Sequence, residues 1–118
     1  MIRDSEYEVV FHERSSGQCP IDEFLDDLPL KVRAKLMKWI ELLESEGPDF
    51  PRPYADVIRG KIRELRVQFG SNQYRCLYFF DGKQIVMTHG FIKKTERVPE
   101  RDIEYAENLM KEHYNEKI

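Results

Sequence analysis

The sequence predicts an α+β fold: a small antiparallel or mixed sheet, with two helices ahead of its main strands and one after them. Three observations predict it. Apolar residues recur at three- and four-residue spacing in two separate stretches, as amphipathic helices require. Between those stretches, residues 62–92 are β-branched and aromatic. Turn-forming Gly, Asn and Asp punctuate that stretch twice. The chain has 118 residues, of which 41% are hydrophobic, 12% aromatic and 35% charged. That is material for one domain, expected to span 1–118, and it is too aromatic for a disordered chain.

The elements follow in order. Glu6 to His12 (EYEVVFH) is short and β-branched, and is expected to be a strand. Pro20 opens PIDEFLDDL, with acids in the first turn, where a helix N-terminus favours them. After Pro29, the residues Val32, Leu36, Trp39, Ile40 and Leu43 mark an amphipathic helix that stops at Gly47-Pro48. Pro48 to Pro53 reads as a connector. Three strands are expected at Ile62–Phe69, Gln73–Phe80 and Gln84–Ile92. A last helix starts at Pro99, with Ile103, Ala106 and Met110 on one stripe. The order is β-α-α-β-β-β-α.

Several classes are excluded at this point. No apolar run reaches the roughly 18 residues of a membrane span. The start, MIRDSEYEVV, carries charges where a secretory signal would be apolar. Cys19 and Cys76 are too few for a disulfide scaffold or a zinc cage. The expectation is a soluble, cytoplasmic protein with no membrane partner, no metal and no cofactor.

Net charge is −3, which alone argues against a nucleic-acid partner. The distribution argues for one. Between Arg59 and Lys94 stand eight cations (Arg59, Lys61, Arg63, Arg66, Arg75, Lys83, Lys93 and Lys94) and two acids, Glu64 and Asp81. A basic segment in an acidic chain is either a solvated strand face or a site for phosphate.

Register decides between these two. With Ser71-Asn72 and Asp81-Gly82 as two-residue turns, Phe69 pairs with Tyr74, Gln68 with Arg75, Val67 with Cys76 and Arg66 with Leu77. In the next hairpin Tyr78 pairs with Ile85, Cys76 with Met87, Arg75 with Thr88 and Tyr74 with His89. Leu65, Val67, Phe69, Cys76, Tyr78, Phe80, Ile85 and Met87 then share an apolar face. Glu64, Arg66, Gln68, Arg75 and Thr88 share the other, and Lys93 and Lys94 emerge at the end of the third strand. Two arginines on neighbouring strands repel unless an anion or an acid lies between them, and Glu64 is the acid at hand.

The stretch GKIRELRVQFGSNQYRCLYFFDGKQIVMTHGFIKKTERVPERDIEYAENLM resembles the core of the RelE/HigB toxin superfamily, and most of all its phage-derived HigB-like branch. The motifs are ELR at 64–66, YRCLYFF at 74–80 and HGFIKKT at 89–95, followed by a proline-initiated helix. The N-terminal half matches only in its strand-helix-helix order. The resemblance implies a RelE-like fold and the toxin of a type II toxin–antitoxin pair. It implies a metal-independent endoribonuclease that cuts mRNA in the ribosomal A site. There the 2′-hydroxyl attacks the adjacent phosphate and leaves a 2′,3′-cyclic phosphate. Such chemistry needs a base, cations for the phosphorane and an acid for the leaving 5′-oxygen.

Carried over residue by residue, Arg75 stands beside the scissile phosphate and Arg66 shares that work. Lys93 and Lys94 fall where RelE has its lysine-arginine pair, to contact phosphate or protonate the leaving group. Glu64 stands where RelE has a lysine, as a base or to order Arg66. RelE's late tyrosine has no counterpart in 95–99. His89 is a substitute acid, although the register puts it on the face of Tyr74. Lys61 and Arg63, beside Gly60, are expected to touch ribosomal RNA backbone. His12, His113, Trp39, Cys19 and Cys76 read as packing or incidental residues, and the aromatic strand 73–80 as one buried on both faces.

The partners implied are a cognate antitoxin of helix-turn-helix type, mRNA and ribosomal RNA, with operator DNA reached only through the antitoxin. Two alternatives stay open: a ParE-like toxin that poisons DNA gyrase without cutting RNA, and an inactive phage-derived binding remnant.

Overall fold

The computed structural model describes residues 6–116; residues 1–5, part of the charged start, lie outside them. Strand β1 (Glu8–Phe11) leads to helices α1 (Pro20–Asp26) and α2 (Leu30–Glu46) and a 3₁₀ turn at Gly47–Asp49. Then come β2 (Ala55–Arg59), β3 (Ile62–Phe69), β4 (Asn72–Asp81), β5 (Gln84–Lys93) and α3 (Glu100–Asn115). The five strands form one sheet in the order β1-β5-β4-β3-β2. β1 runs parallel to β5 and every other pairing is antiparallel. The α+β class and the mixed sheet agree with the sequence reading. No helix among the described residues is long and apolar enough to cross a membrane.

One strand was missing from that reading. β2 (ADVIR) sits at the sheet edge, is buried only at Ala55, with Asp56 and Ile58 half-buried and Val57 and Arg59 exposed, and follows a proline-rich loop. An edge strand of five residues carrying Asp56 and Arg59 has little apolar signal to find.

Both hairpin turns lie one residue away from their expected places. Phe69 pairs with Asn72 and Asp81 with Gln84, so the turns are Gly70-Ser71 and Gly82-Lys83. Each opens on a glycine of positive φ, 61° at Gly70 and 58° at Gly82, which tight hairpin turns demand at their first position. Moving a two-residue turn by one position moves every partner by two. The pleat also repeats every two residues, so each side chain in β3 and in the first half of β4 keeps its expected face. Arg66 now lies directly opposite Arg75 instead of Leu77.

A bulge in β5 changes one side chain's face. Tyr78 pairs with Met87 but Leu77 pairs with His89, leaving Thr88 as the extra residue. His89 therefore stands on Leu77's face of the sheet, not on Tyr74's as the sequence register had it. Gly90 marks the spot. It pairs with Cys76 on the opposite face, where a Cβ would lie 2.2 Å from the ring of Phe24 in α1. Only a glycine lets the helix come so close.

The sheet thus has two unlike faces. α1 and α2 lie on the first, where Ile21, Leu25, Leu36, Ile40 and Leu43 pack on Leu65, Val67, Cys76, Tyr78, Ile85 and Met87. Cys76 is fully buried there, and desolvation pushes its thiol up to about 12, so it is an inert core residue. α3 lies on the second face, with Ala106 against Ile62, Leu77, Phe79 and Val86. Its buried stripe is Ala106 and Leu109, with Ile103 and Met110 at the margin. β4 is covered on both sides, as its run of aromatics implied.

Candidate functional site

Three rows of side chains cross the second face from β3 to β5: Glu64–Leu77–His89, Arg66–Arg75–Phe91 and Gln68–Gln73–Lys93. The rows that α3 leaves open are polar. Glu64 and Arg75 are 5% and 6% exposed, an unusual depth for charged groups. Glu64 Oε1 lies 2.7 Å from Arg75 Nε and 3.3 Å from Arg66 Nε. The distances are those of ion pairs, but the angles are not those of hydrogen bonds. One carboxylate is thus shared by two guanidinium groups through charge alone.

The surrounding contacts fix this arrangement. Arg66 Nη2 reaches Asp56 Oδ2 at 3.3 Å. The other oxygen of Asp56 accepts the Val57 N–H at 2.8 Å and lies 3.1 Å from Arg52 Nη2. That N–H, with Arg52 and Arg66, holds the Asp56 carboxyl below its usual range. Arg75 Nη1 donates to the Tyr74 carbonyl at 3.2 Å and to Gln73 Oε1 at 3.3 Å. Burial pulls the Arg75 pKa down and Arg66 adds to the pull, while Glu64 pushes back. An arginine stays charged through such a shift, so Arg75 is a cation held in a partly dry place. Lys93 is lowered too, first by desolvation and then by the charge of Arg75. Among the described residues it makes no ion pair within 4.0 Å. Arg52, Arg66, Arg75, Lys93 and Arg97 face three carboxylates, Glu64, Asp56 and Glu96, so the cluster is left with excess positive charge.

Two clefts of about 270 Å³ each meet at Arg66. The first runs under the β5–α3 loop and is walled by Glu64, Arg66, Lys93, Glu96, Arg97 and Val98. The second opens at the free end of β3 and is walled by Arg66, Arg75, Gln68 and Gln73, with Trp39 and Tyr54 facing them.

Of the residues singled out in the sequence, the fold brings together Glu64, Arg66, Arg75 and Lys93. Lys94 follows the last residue of β5, is exposed and lines neither cleft. Lys61 and Arg63 lie toward the other end of β3, with Arg63 over the Phe80 ring at 5.2 Å and Lys61 over Tyr114 at 5.1 Å. His89 stands in the row of Glu64 with Leu77 between them, two strand spacings or roughly 10 Å away. Its Nε2 is 3.1 Å from Asp102 Oδ1 on α3, and its Nδ1 is 3.2 Å from the Thr88 hydroxyl. Burial lowers its pKa, against the pull of Asp102. All three histidines of the chain join α3 to the rest in this way: His12 meets Glu112 at 3.1 Å and His113 meets Asp81 at 2.8 Å. The sequence reading missed Arg52, Asp56 and Tyr54, all in or beside the edge strand it overlooked.

The comparisons with known proteins bear on this geometry. A family model described as phage derived protein Gp49-like (DUF891) matches residues 23–111, from α1 to the last turns of α3. The chain belongs to that family. The Gp49-like family is RelE/HigB-like and of toxin type, commonly associated with toxin–antitoxin pairs, and such a pair implies an antitoxin partner. No curated protein matches the chain. The matched span holds every residue of the cationic cluster and both clefts.

Proposed function

We propose that this Gp49-like protein is a toxin that cuts mRNA on the ribosome without a metal, and is held in check by a helix-turn-helix antitoxin. The observation that carries the reading is the shared carboxylate. Arg66 and Arg75 stand opposite each other on adjacent strands, and Glu64 keeps both guanidinium groups on one face, with Lys93 beside them. Cations preset in a partly dry cleft stabilise the charge that builds on phosphorus without having to reorganise as it forms.

In the proposed reaction, a ribose 2′-hydroxyl gives up its proton to solvent water as its oxygen attacks the adjacent phosphorus, and the bond to the 5′-oxygen breaks. The products are a 2′,3′-cyclic phosphate and a 5′-hydroxyl. Arg75 and Arg66 bind the non-bridging oxygens of the phosphorane. Lys93, whose proton is loosened by desolvation and by Arg75, gives a proton to the leaving 5′-oxygen. Glu64 is assigned a positioning role, because its Oε1 is buried against both arginines. The placement of His89, behind Leu77 and held by Asp102, favours a structural role for it. The cytoplasm, where ribosomes are, is the compartment this reading requires.

A translating extract supplied with the purified protein tests it. Discrete mRNA cuts mapped by primer extension are the expected result. Intact mRNA together with stalled gyrase would give the chain to the ParE-like alternative, and neither effect would leave a binding remnant.

A further inference from the structure

We infer that the second cleft is a nucleobase subsite, in which Tyr54 and Trp39 stack on the base of a nucleotide whose phosphate lies against Arg66 and Arg75. The inference rests on the proposed RNA-cutting reading and names how that site holds its substrate.

The notch is made by the sheet edge. β2 begins at Ala55, opposite Leu65, and the Tyr54 carbonyl accepts the Arg66 N–H at 2.7 Å. From Val67 onward that edge of β3 has no strand beside it among the described residues, and Lys35 of α2 donates to the Gln68 carbonyl there. The Arg66 hydrogen bond ties the aromatic wall to the cationic floor, so ring and guanidinium are neighbours by backbone register.

The wall is built to present a flat apolar surface. Tyr54 is 41% exposed although its ring lies 5.4 Å from Trp39 and stacks on Phe50 at 5.8 Å, with 25° between the planes. An aromatic ring supported from behind and open in front offers stacking at little entropic cost. Opposite it stand the amide side chains of Gln68 and Gln73, direct partners in the β3–β4 ladder, which suit the hydrogen-bonding edge of a base. Lys35, Arg66 and Arg75 line the cleft and no carboxylate does. Its volume of about 270 Å³ lies just below the ~300–1,000 Å³ of drug-sized ligand sites, which fits one nucleotide rather than a folded partner. An aromatic wall with three cations and two amides is recognition chemistry for single-stranded RNA; a protein segment fits the cations less well.

Trp39 is the chain's one tryptophan, so its emission reports on this cleft. The test titrates the full-length protein with a 2′-O-methyl RNA hexamer, which cannot be cut, and with an abasic hexamer of the same length. The RNA is expected to quench Trp39 saturably and the abasic strand to quench little. Tyr54→Ala is expected to weaken RNA binding roughly tenfold, the scale of one base–aromatic stack, and Tyr54→Phe to restore it. Primer extension in a translating extract should show Tyr54→Ala altering the set of positions cut. Equal quenching by the abasic strand, wild-type affinity in Tyr54→Ala, or no quenching at all overturns the subsite. If mRNA is still cut at the same positions by Tyr54→Ala, the subsite fails while the nuclease reading stands. Absence of cutting by the wild type removes the nuclease reading itself. Loss of antitoxin binding in Tyr54→Ala, with RNA binding intact, reassigns the cleft to a protein partner.

Discussion

The two faces of the sheet are built from the same strands and do opposite things. The first is covered from β1 to β3 by α1 and α2 and is apolar except at Arg63, whose guanidinium lies over the Phe80 ring. The second is covered by α3 over Ile62, Leu77, Phe79 and Val86, and beyond that it carries Glu64, Arg66, Arg75 and Lys93. One helix fewer leaves room for charge. The contrast teaches that stability should reside on the first face and chemistry on the open half of the second, and each substitution below sets one against the other.

The largest stability effect is expected on the first face. Met87 is fully buried among Ile85, Tyr78 and the α1–α2 residues. Met87→Ala is expected to cost about 2–5 kcal/mol in urea denaturation, with the cationic cluster still able to act on the folded fraction. A cost near zero would mean that the first face is not the stabilising one.

Gly90→Ala comes next, because the new methyl would meet the Phe24 ring. Overpacking of this kind costs about 1–3 kcal/mol. The penalty should fall in a Phe24→Ala background, since the two residues share one contact and their effects do not add.

The sequence disclosed the faces better than it disclosed their neighbours. Alternation in β3 assigned Arg66 to one side and Val67 to the other, and a two-residue slip in partner left that assignment intact. The stripe Val32, Leu36, Ile40, Leu43 gave α2, because burial on one side of a helix is written at fixed spacing. β2 stayed hidden, since Asp56 and Arg59 leave a five-residue edge strand too short an apolar stretch to stand out. The face of His89 was misread because a bulge adds a residue that alternation does not announce, although Gly90 beside it was a visible sign. Arg66, Arg75 and Lys93 were legible as one cluster from register. The bond of Arg66 to Asp56 and the wall formed by Tyr54 depend on the hidden strand, and those were not legible.

A smaller effect is expected from His89, which sits at the seam between α3 and the second face. Burial lowers its folded pKa below the ordinary value of about 6.5. The unfolded chain therefore takes up the proton more readily. The stability His89 confers is whole above about pH 6.5 and is lost as pH falls below it, by at most about 1.4 kcal/mol per pH unit. Urea midpoints from pH 7.5 to 5.5 should fall less steeply in His89→Gln than in the wild type. A steeper fall would mean that the charged form is the one the fold prefers.

The smallest effect belongs to Arg66, whose side chain is 32% exposed. Arg66→Ala is expected to shift stability by no more than about 1 kcal/mol, the range of surface ion pairs, while lowering RNA cutting. Calorimetry beside a cutting assay separates the two. A large loss of stability would place Arg66 with the core rather than with the site.

The central claim is tested most directly by mapping mRNA ends in a translating extract with wild-type protein and with Arg75→Ala, alongside the antitoxin affinity of both. The expected result is discrete cuts bearing 2′,3′-cyclic phosphates for the wild type. Arg75→Ala should cut about 10²–10³-fold more slowly, with antitoxin binding unchanged. Equal cutting by the two proteins would contradict the account.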